Sequence, residues 1–163
     1  MNEKEAGKRK LLIRITYKLI AHKGFSNITL QEIADKAGVS KGIVLYYFDN
    51  KDDLLAAVLE SLVTSIERHI RVEISKAVSP LEKIHAYVNA TFLNMEANRE
   101  FYKVYLDFLS QSVHHAGLRK FNTYFYSQCA QMQGQIVSEG IVKKVFRKVE
   151  LQESGVVIRS IID

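Results

Sequence analysis

Residues 29–54 read Thr-Leu-Gln-Glu-Ile-Ala-Asp-Lys-Ala-Gly-Val-Ser-Lys-Gly-Ile-Val-Leu-Tyr-Tyr-Phe-Asp-Asn-Lys-Asp-Asp-Leu. Thr29 and Glu32 have the spacing of a capping box, in which the hydroxyl accepts an early backbone N–H and the carboxylate reaches back to the cap. Leu30, Ile33, Ala34 and Ala37 then recur at helical spacing and give one apolar face. Gly38 stands where a helix end needs left-handed backbone, with the apolar Val39 behind it. Ser40 is placed to cap the next helix, and from there to Phe48 there is room for only two turns. Val44, Tyr47 and Phe48 fall at i, i+3 and i+4 and are expected to pack inward. Gly42, Leu45 and Tyr46 then face outward, with Lys41 and Ile43 at the exposed start. Asn50 caps a third helix whose first turn carries Asp53, a charge the helix dipole favours there. Two short helices about a tight turn, with a third starting at once, form the arrangement that carries one helix end into the major groove of DNA.

The charge distribution points the same way. Residues 1–51 hold ten Lys and Arg against five acids, whereas residues 52–163 hold thirteen of each. The whole excess of +5 therefore sits in the segment with the turn. A basic flank beside a groove-entering helix is what phosphate neutralisation requires. Lys8, Arg9 and Lys10 either add nonspecific phosphate contacts or form a frayed tail.

From about Leu12 to Leu55 the chain resembles the TetR family of bacterial transcriptional regulators. Leu19-Ile-Ala-His-Lys-Gly-Phe25 is similar to the end of that family's first helix, and Thr29 to Gly38 to its second. Val39-Ser-Lys-Gly42 and Tyr47-Phe-Asp-Asn-Lys-Asp-Asp-Leu54 are similar to the third helix and the start of the fourth. The resemblance implies that Thr29, Ser40, Tyr46 and Lys51 contact phosphates and that Lys41, Gly42, Ile43 and Leu45 approach base edges. One departure matters. Ile43, Val44 and Leu45 stand where the family usually has Thr, then Leu or Ile, then Tyr, so its base contacts do not transfer directly. Exposed Ile43 and Leu45 cannot hydrogen-bond a base, but they can meet a thymine methyl; packing against the first helix is the alternative. The absence of a side chain at Gly42 lets backbone come close.

Outside this segment the periodicity predicts helices over 5–23, about 51–77, from Ser79-Pro80-Leu-Glu82 to about Met95, 99–111, 117–138 ending near Gly140, and from 150 onward. The first has Leu12, Ile15, Thr16 and Leu19 as its buried stripe. The last carries Val156, Val157, Ile161 and Ile162. The fold expected is all-α: a three-helix helix-turn-helix domain, 1–51, joined by a long helix to a helical ligand-binding and dimerisation bundle, 52–163. The resemblance implies a homodimer built on the family's last two helices. The chain stops on an apolar segment at Asp163, so a final helix is expected to be missing.

Eleven of the sixteen Phe and Tyr residues lie between Tyr87 and Phe146. Most are expected to be core, but an aromatic cavity would suit a hydrophobic or flat effector, with Phe92, Met95, Tyr102, Tyr105 and Tyr124 as the candidates beside it. Glu82 and His85 have a Glu-x-x-His spacing used by di-iron bundles, but no second pair is in register. His114 and His115 are adjacent and diverge on a helix. Cys129 is the only cysteine, which rules out an intrachain disulfide, and burial is expected for it. No cofactor or metal is expected, no apolar run approaches the roughly 20 residues of a membrane span, and a cytoplasmic location fits. The reading is a ligand-responsive repressor that binds a near-palindromic double-stranded operator. Its rivals are an architectural DNA binder, a helical enzyme or metal bundle, and a protein–protein module reusing the turn.

Overall fold

At Thr29, Ser40, Asn50 and Ser79 a side-chain oxygen accepts a free amide and a helix starts there. The computed structural model describes residues 3–92, 98–113 and 116–162, and among these residues every regular element is helical. In chain order they are α1 Glu3–Lys23, a 3-10 turn Phe25–Asn27, α2 Leu30–Ala37, α3 Lys41–Tyr47, α4 Lys51–Ser75, α5 Pro80–Thr91, α6 Arg99–Ser112, α7 Ala116–Val142 and α8 Leu151–Ile162. Thr29 accepts the Glu32 N–H at 3.1 Å, Ser40 the Ile43 N–H at 3.3 Å, and Asn50 the Asp53 N–H at 2.9 Å. At α5 the box is complete: the Glu82 N–H donates to the Ser79 hydroxyl at 3.2 Å and Glu82 accepts the Ser79 N–H at 2.9 Å, with Pro80 in the first turn.

Three details differ from the sequence reading. Only half of the box forms at α2, because the Glu32 carboxylate pairs with Lys23 instead of returning to the cap. α5 ends at Thr91, four residues short of Met95. α7 runs through Gly140 to Val142, and the left-handed residue that closes it is Lys144, φ 56°. The Lys144 N–H donates to the Ile141 carbonyl at 3.0 Å and the Val145 N–H to the Gly140 carbonyl at 2.8 Å, the paired bonds of a Schellman end. The same pair closes α2, where the Gly38 N–H reaches Asp35 and the Val39 N–H reaches Ala34. Gly140 has another task. A Cβ there would stand 2.0 Å from the Phe146 ring, so the glycine is the floor on which that ring lies.

By packing, the chain forms two compact units. The first comprises Met1–Leu62 and Asn98–Asn122, the second Val63–Ala97 and Thr123–Asp163. In the first, α2 packs on α1 and α3, and α6 packs on α1 and the 3-10 turn. α6 thus belongs with the N-terminal helices, although it lies in the 52–163 segment. The core of this unit includes Leu12, Leu19, Ile20, Phe25, Ile28, Ile33, Val44 and Phe48. In the second unit Ile70, Tyr87, Ala90, Met132 and Ile136 form a buried cluster, and Val63, Phe125 and Cys129 form another. Ile158 of α8 packs on the first cluster, whereas Val157 is exposed; the side chains of Val156, Ile161 and Ile162 lie outside the described set.

Candidate nucleic-acid interface

α3 is seven residues long and cannot be stable on its own, because so few turns do not repay helix nucleation. It is held by Val44 and Phe48, 0% and 1% exposed. Phe48 is also covered by the Arg9 guanidinium, 5.0 Å above the ring centre. Arg9 is therefore not a frayed tail: α1 includes it, and its guanidinium lies on an aromatic face. Lys8 and Lys10 are exposed on the same helix.

With one side anchored, the other is open. Lys41 and Gly42 are exposed, Leu45 is 43% exposed and Tyr46 71%. A tyrosine that far into solvent has given up most of its apolar burial, which on an ordinary surface is a cost of the order of 1–2 kcal/mol. Its ring meets Tyr47 edge-on, with centroids 5.0 Å apart. Tyr47 is half-buried; burial, reinforced by Glu5 and Tyr46, holds its hydroxyl above the ordinary tyrosine value. Ile43 is half-buried rather than fully outward, because it sits one turn before Tyr47 at the junction of the two faces. Of the two apolar candidates for base contact, Leu45 is the one that reaches out.

Thr29 and Ser40 are exposed N-caps whose oxygens each accept one backbone amide. Accepting leaves the hydroxyl proton free to donate, so each can cap a helix and bond a phosphate oxygen at once. Lys51 opens α4 and is half-buried. All eight residues expected at DNA lie in the first unit. A depression of about 710 Å³ on that unit is lined by Arg14, Lys18, His22, Lys23 and Lys36, with Glu32 as its acid.

Sequence reasoning missed the attachment of α6. The Phe25 backbone N–H donates to the Asp107 carboxylate at 2.6 Å, and Lys18 pairs with Glu100 at 3.4 Å. Tyr17, on α1, has its hydroxyl held above its ordinary value by burial and by the Glu100 charge. Asp107 and Glu100 sit on α6 among Phe101, Tyr102 and Tyr105, where aromatic content dominated the reading.

The candidate effector residues separate. Tyr102 and Tyr105 are half-buried in the first unit, where Phe101 stacks on Tyr105 at 5.8 Å and meets Tyr102 edge-on at 5.2 Å. Phe92 and Tyr124 belong to the second unit and are 53% and 51% exposed. Met95 lies outside the described residues, as do His114 and His115. Among the described residues no group of three His, Cys, Asp or Glu is placed to hold a metal, and Glu82 is occupied as a cap. Cys129 is buried.

Residues 12–58 match the family model described as bacterial regulatory proteins, tetR family. The chain is similar to the HTH-type transcriptional regulator BetI of Stenotrophomonas maltophilia, at 32% identity over 71% of this chain and 60% of that protein. It spans about six tenths of the length of the curated relatives it matches. Its fold is similar to a TetR transcription regulator from Haloarcula marismortui, TM-score 0.89 and 24% identity over 97% of this chain and 83% of that one. It is also similar in fold to a Saccharomonospora viridis protein solved in complex with choline, TM-score 0.82 and 21% identity over 97% and 82% of the two chains. From the turn, its flanking caps and this likeness, residues 12–58 are a helix-turn-helix segment of the TetR family of bacterial regulatory proteins.

Proposed function

We propose that the protein is a sequence-specific DNA-binding transcriptional regulator, a repressor that leaves its operator when a small molecule binds. The observation that carries this is α3: it is pinned from one side by Val44 and Phe48 and presents Lys41, Gly42, Leu45 and Tyr46 to solvent. Thr29, Ser40, Tyr46 and Lys51 are assigned to phosphates. Lys41, Gly42, Ile43 and Leu45 are assigned to base edges. DNA binding is assigned to residues 1–51, and effector binding and dimerisation to 52–163. Two subunits reading a near-palindromic operator would place their α3 helices in successive major grooves. An effector that binds one spacing of these helices better than another shifts the population away from the DNA-bound form.

Effector identity is open within one class. Choline is bound by the Saccharomonospora viridis protein, and aromatic rings are the usual hosts of a quaternary ammonium. Choline is therefore the first compound to test, with Phe92 and Tyr124 of the second unit, or Tyr102 and Tyr105 of the first, as alternative aromatic hosts. No described helix is long and apolar enough to cross a membrane, and the protein is assigned to the cytoplasm.

Selection from a random duplex pool with the full chain tests the regulator reading. The expected result is a two-fold-related consensus bound about 1,000-fold or more tighter than random duplex, and lost on adding an effector. Equal binding to selected and random duplex would make the protein an architectural binder instead.

A further inference from the structure

The second unit holds one polar side chain that its surroundings leave incomplete. Gln133 is 1% exposed. Its Nε2 donates to the Tyr87 hydroxyl at 2.7 Å, and Tyr87 belongs to the apolar cluster with Ile70, Ala90, Met132 and Ile136. The other end of the amide, Oε1, is shielded from solvent and has no hydrogen-bond partner among the described residues. Turning the amide over exchanges the ends and still leaves one unmatched. A carbonyl oxygen buried in this way calls for a donor from outside the protein chain, and a bound molecule is one source of it. Gly155 of α8 borders it: a Cβ there would stand 3.4 Å from Oε1.

We propose that Gln133, held in place by Tyr87, is the polar anchor of the effector site. It takes a small, mainly apolar molecule that offers one hydroxyl or N–H donor to Oε1. The proposal rests on the effector-responsive reading above and narrows it: Oε1 is an acceptor beside an apolar cluster, so it selects a molecule with a donor, and a carboxylate or phosphate would meet it oxygen to oxygen.

The test uses the full chain and two variants, Gln133→Met and the double variant Tyr87→Phe, Gln133→Met. Without ligand, the double variant is expected to unfold about 2–4 °C higher than the parent protein, since the unmatched amide and the hydroxyl it bonds are both replaced by apolar groups of similar shape, whereas Gln133→Met alone takes the amide donor from the buried Tyr87 hydroxyl and unfolds below the double variant. A lower midpoint in both would show that Oε1 is already satisfied and would overturn the proposal. The second arm adds matched pairs of probes, each an alcohol or amine beside its methylated counterpart, choline and its methyl ether included. The donor-bearing member is expected to raise the parent midpoint more than its partner does, and Gln133→Met is expected to erase that difference. Equal shifts in parent and variant, or no shift from any donor, would also overturn it. Failure of the regulator reading is distinct, since it appears as a parent protein that selects no duplex.

Discussion

The backbone N–H of Phe25 donates to the carboxylate of Asp107 at 2.6 Å, eighty-two residues away in sequence. This bond joins the turn after α1 to α6. The neighbouring pair Lys18–Glu100 has side chains 61% and 47% exposed, so it is worth under about 1 kcal/mol and cannot be what fixes α6 there. A bond from a partly buried amide to a carboxylate is worth about 1.5–3 kcal/mol. Asp107→Ala is therefore expected to destabilise the protein by that amount and to speed hydrogen exchange at the Phe25 amide. Asp107→Asn, which keeps an acceptor, recovers most of the loss. Unchanged exchange at Phe25 in Asp107→Ala would remove the bond from the account.

Lys51 and Leu45 are expected to fail differently at DNA. Lys51→Ala weakens binding to every duplex alike and lowers the salt slope by about one. Leu45 is 43% exposed, so Leu45→Ala leaves stability nearly unchanged while relaxing preference at one base pair. If its partner is a thymine methyl, replacing that thymine by uracil weakens the parent protein by about 1 kcal/mol or less and leaves Leu45→Ala unaffected. Titrations of the four combinations measure the coupling directly; full additivity would assign Leu45 to protein packing.

Acid is expected to loosen α5. The Glu82 carboxylate accepts the Ser79 and Val78 backbone N–H groups, at 2.9 and 3.1 Å, which hold it below the usual carboxylate range. A depressed folded value means the group stabilises fully above its unfolded value, near 4.3, and loses that contribution as the pH falls through the folded one. Glu139, lowered by Lys143 and Lys83, behaves in the same sense. The unfolding midpoint of Glu82→Gln should thus fall less than the parent's between pH 5 and pH 3 (a window of about two units around those values). Parallel pH curves for the two proteins would count against the cap's charge.

At the end of α7 two substitutions should move stability in opposite directions. Gly140→Ala puts a Cβ 2.0 Å from the Phe146 ring and is expected to cost about 1–3 kcal/mol in urea unfolding. Phe146→Ala should remove most of that penalty when combined with it. Lys144 sits at φ 56°, so Lys144→Gly is expected to gain about 1 kcal/mol by relieving the left-handed strain. A loss on Lys144→Gly would mean the lysine side chain contributes more than its backbone costs.

The helices were legible because their determinants are local. Thr29, Ser40, Asn50 and Ser79 each act within three residues of themselves, and the 3.6 period of Val44, Tyr47 and Phe48 is visible without any partner. Gly140 misled because a glycine near a helix end has two physical uses, and only the position of Phe146 distinguishes close packing from a left-handed stop. Asp107 and Gln133 were illegible for a related reason. An aspartate inside an aromatic-rich helix and a glutamine inside a polar run look like solvated residues until Phe25 and Tyr87 arrive from distant parts of the chain.

The guanidinium seated on Phe48 makes the start of the chain and the tail of the reading helix a single mechanical object. Trimming the first ten residues, by protease or by cloning, would unroof a ring now 1% exposed and slacken α3 without touching any of the eight residues assigned to DNA. Purification tags on this protein therefore belong at the other terminus.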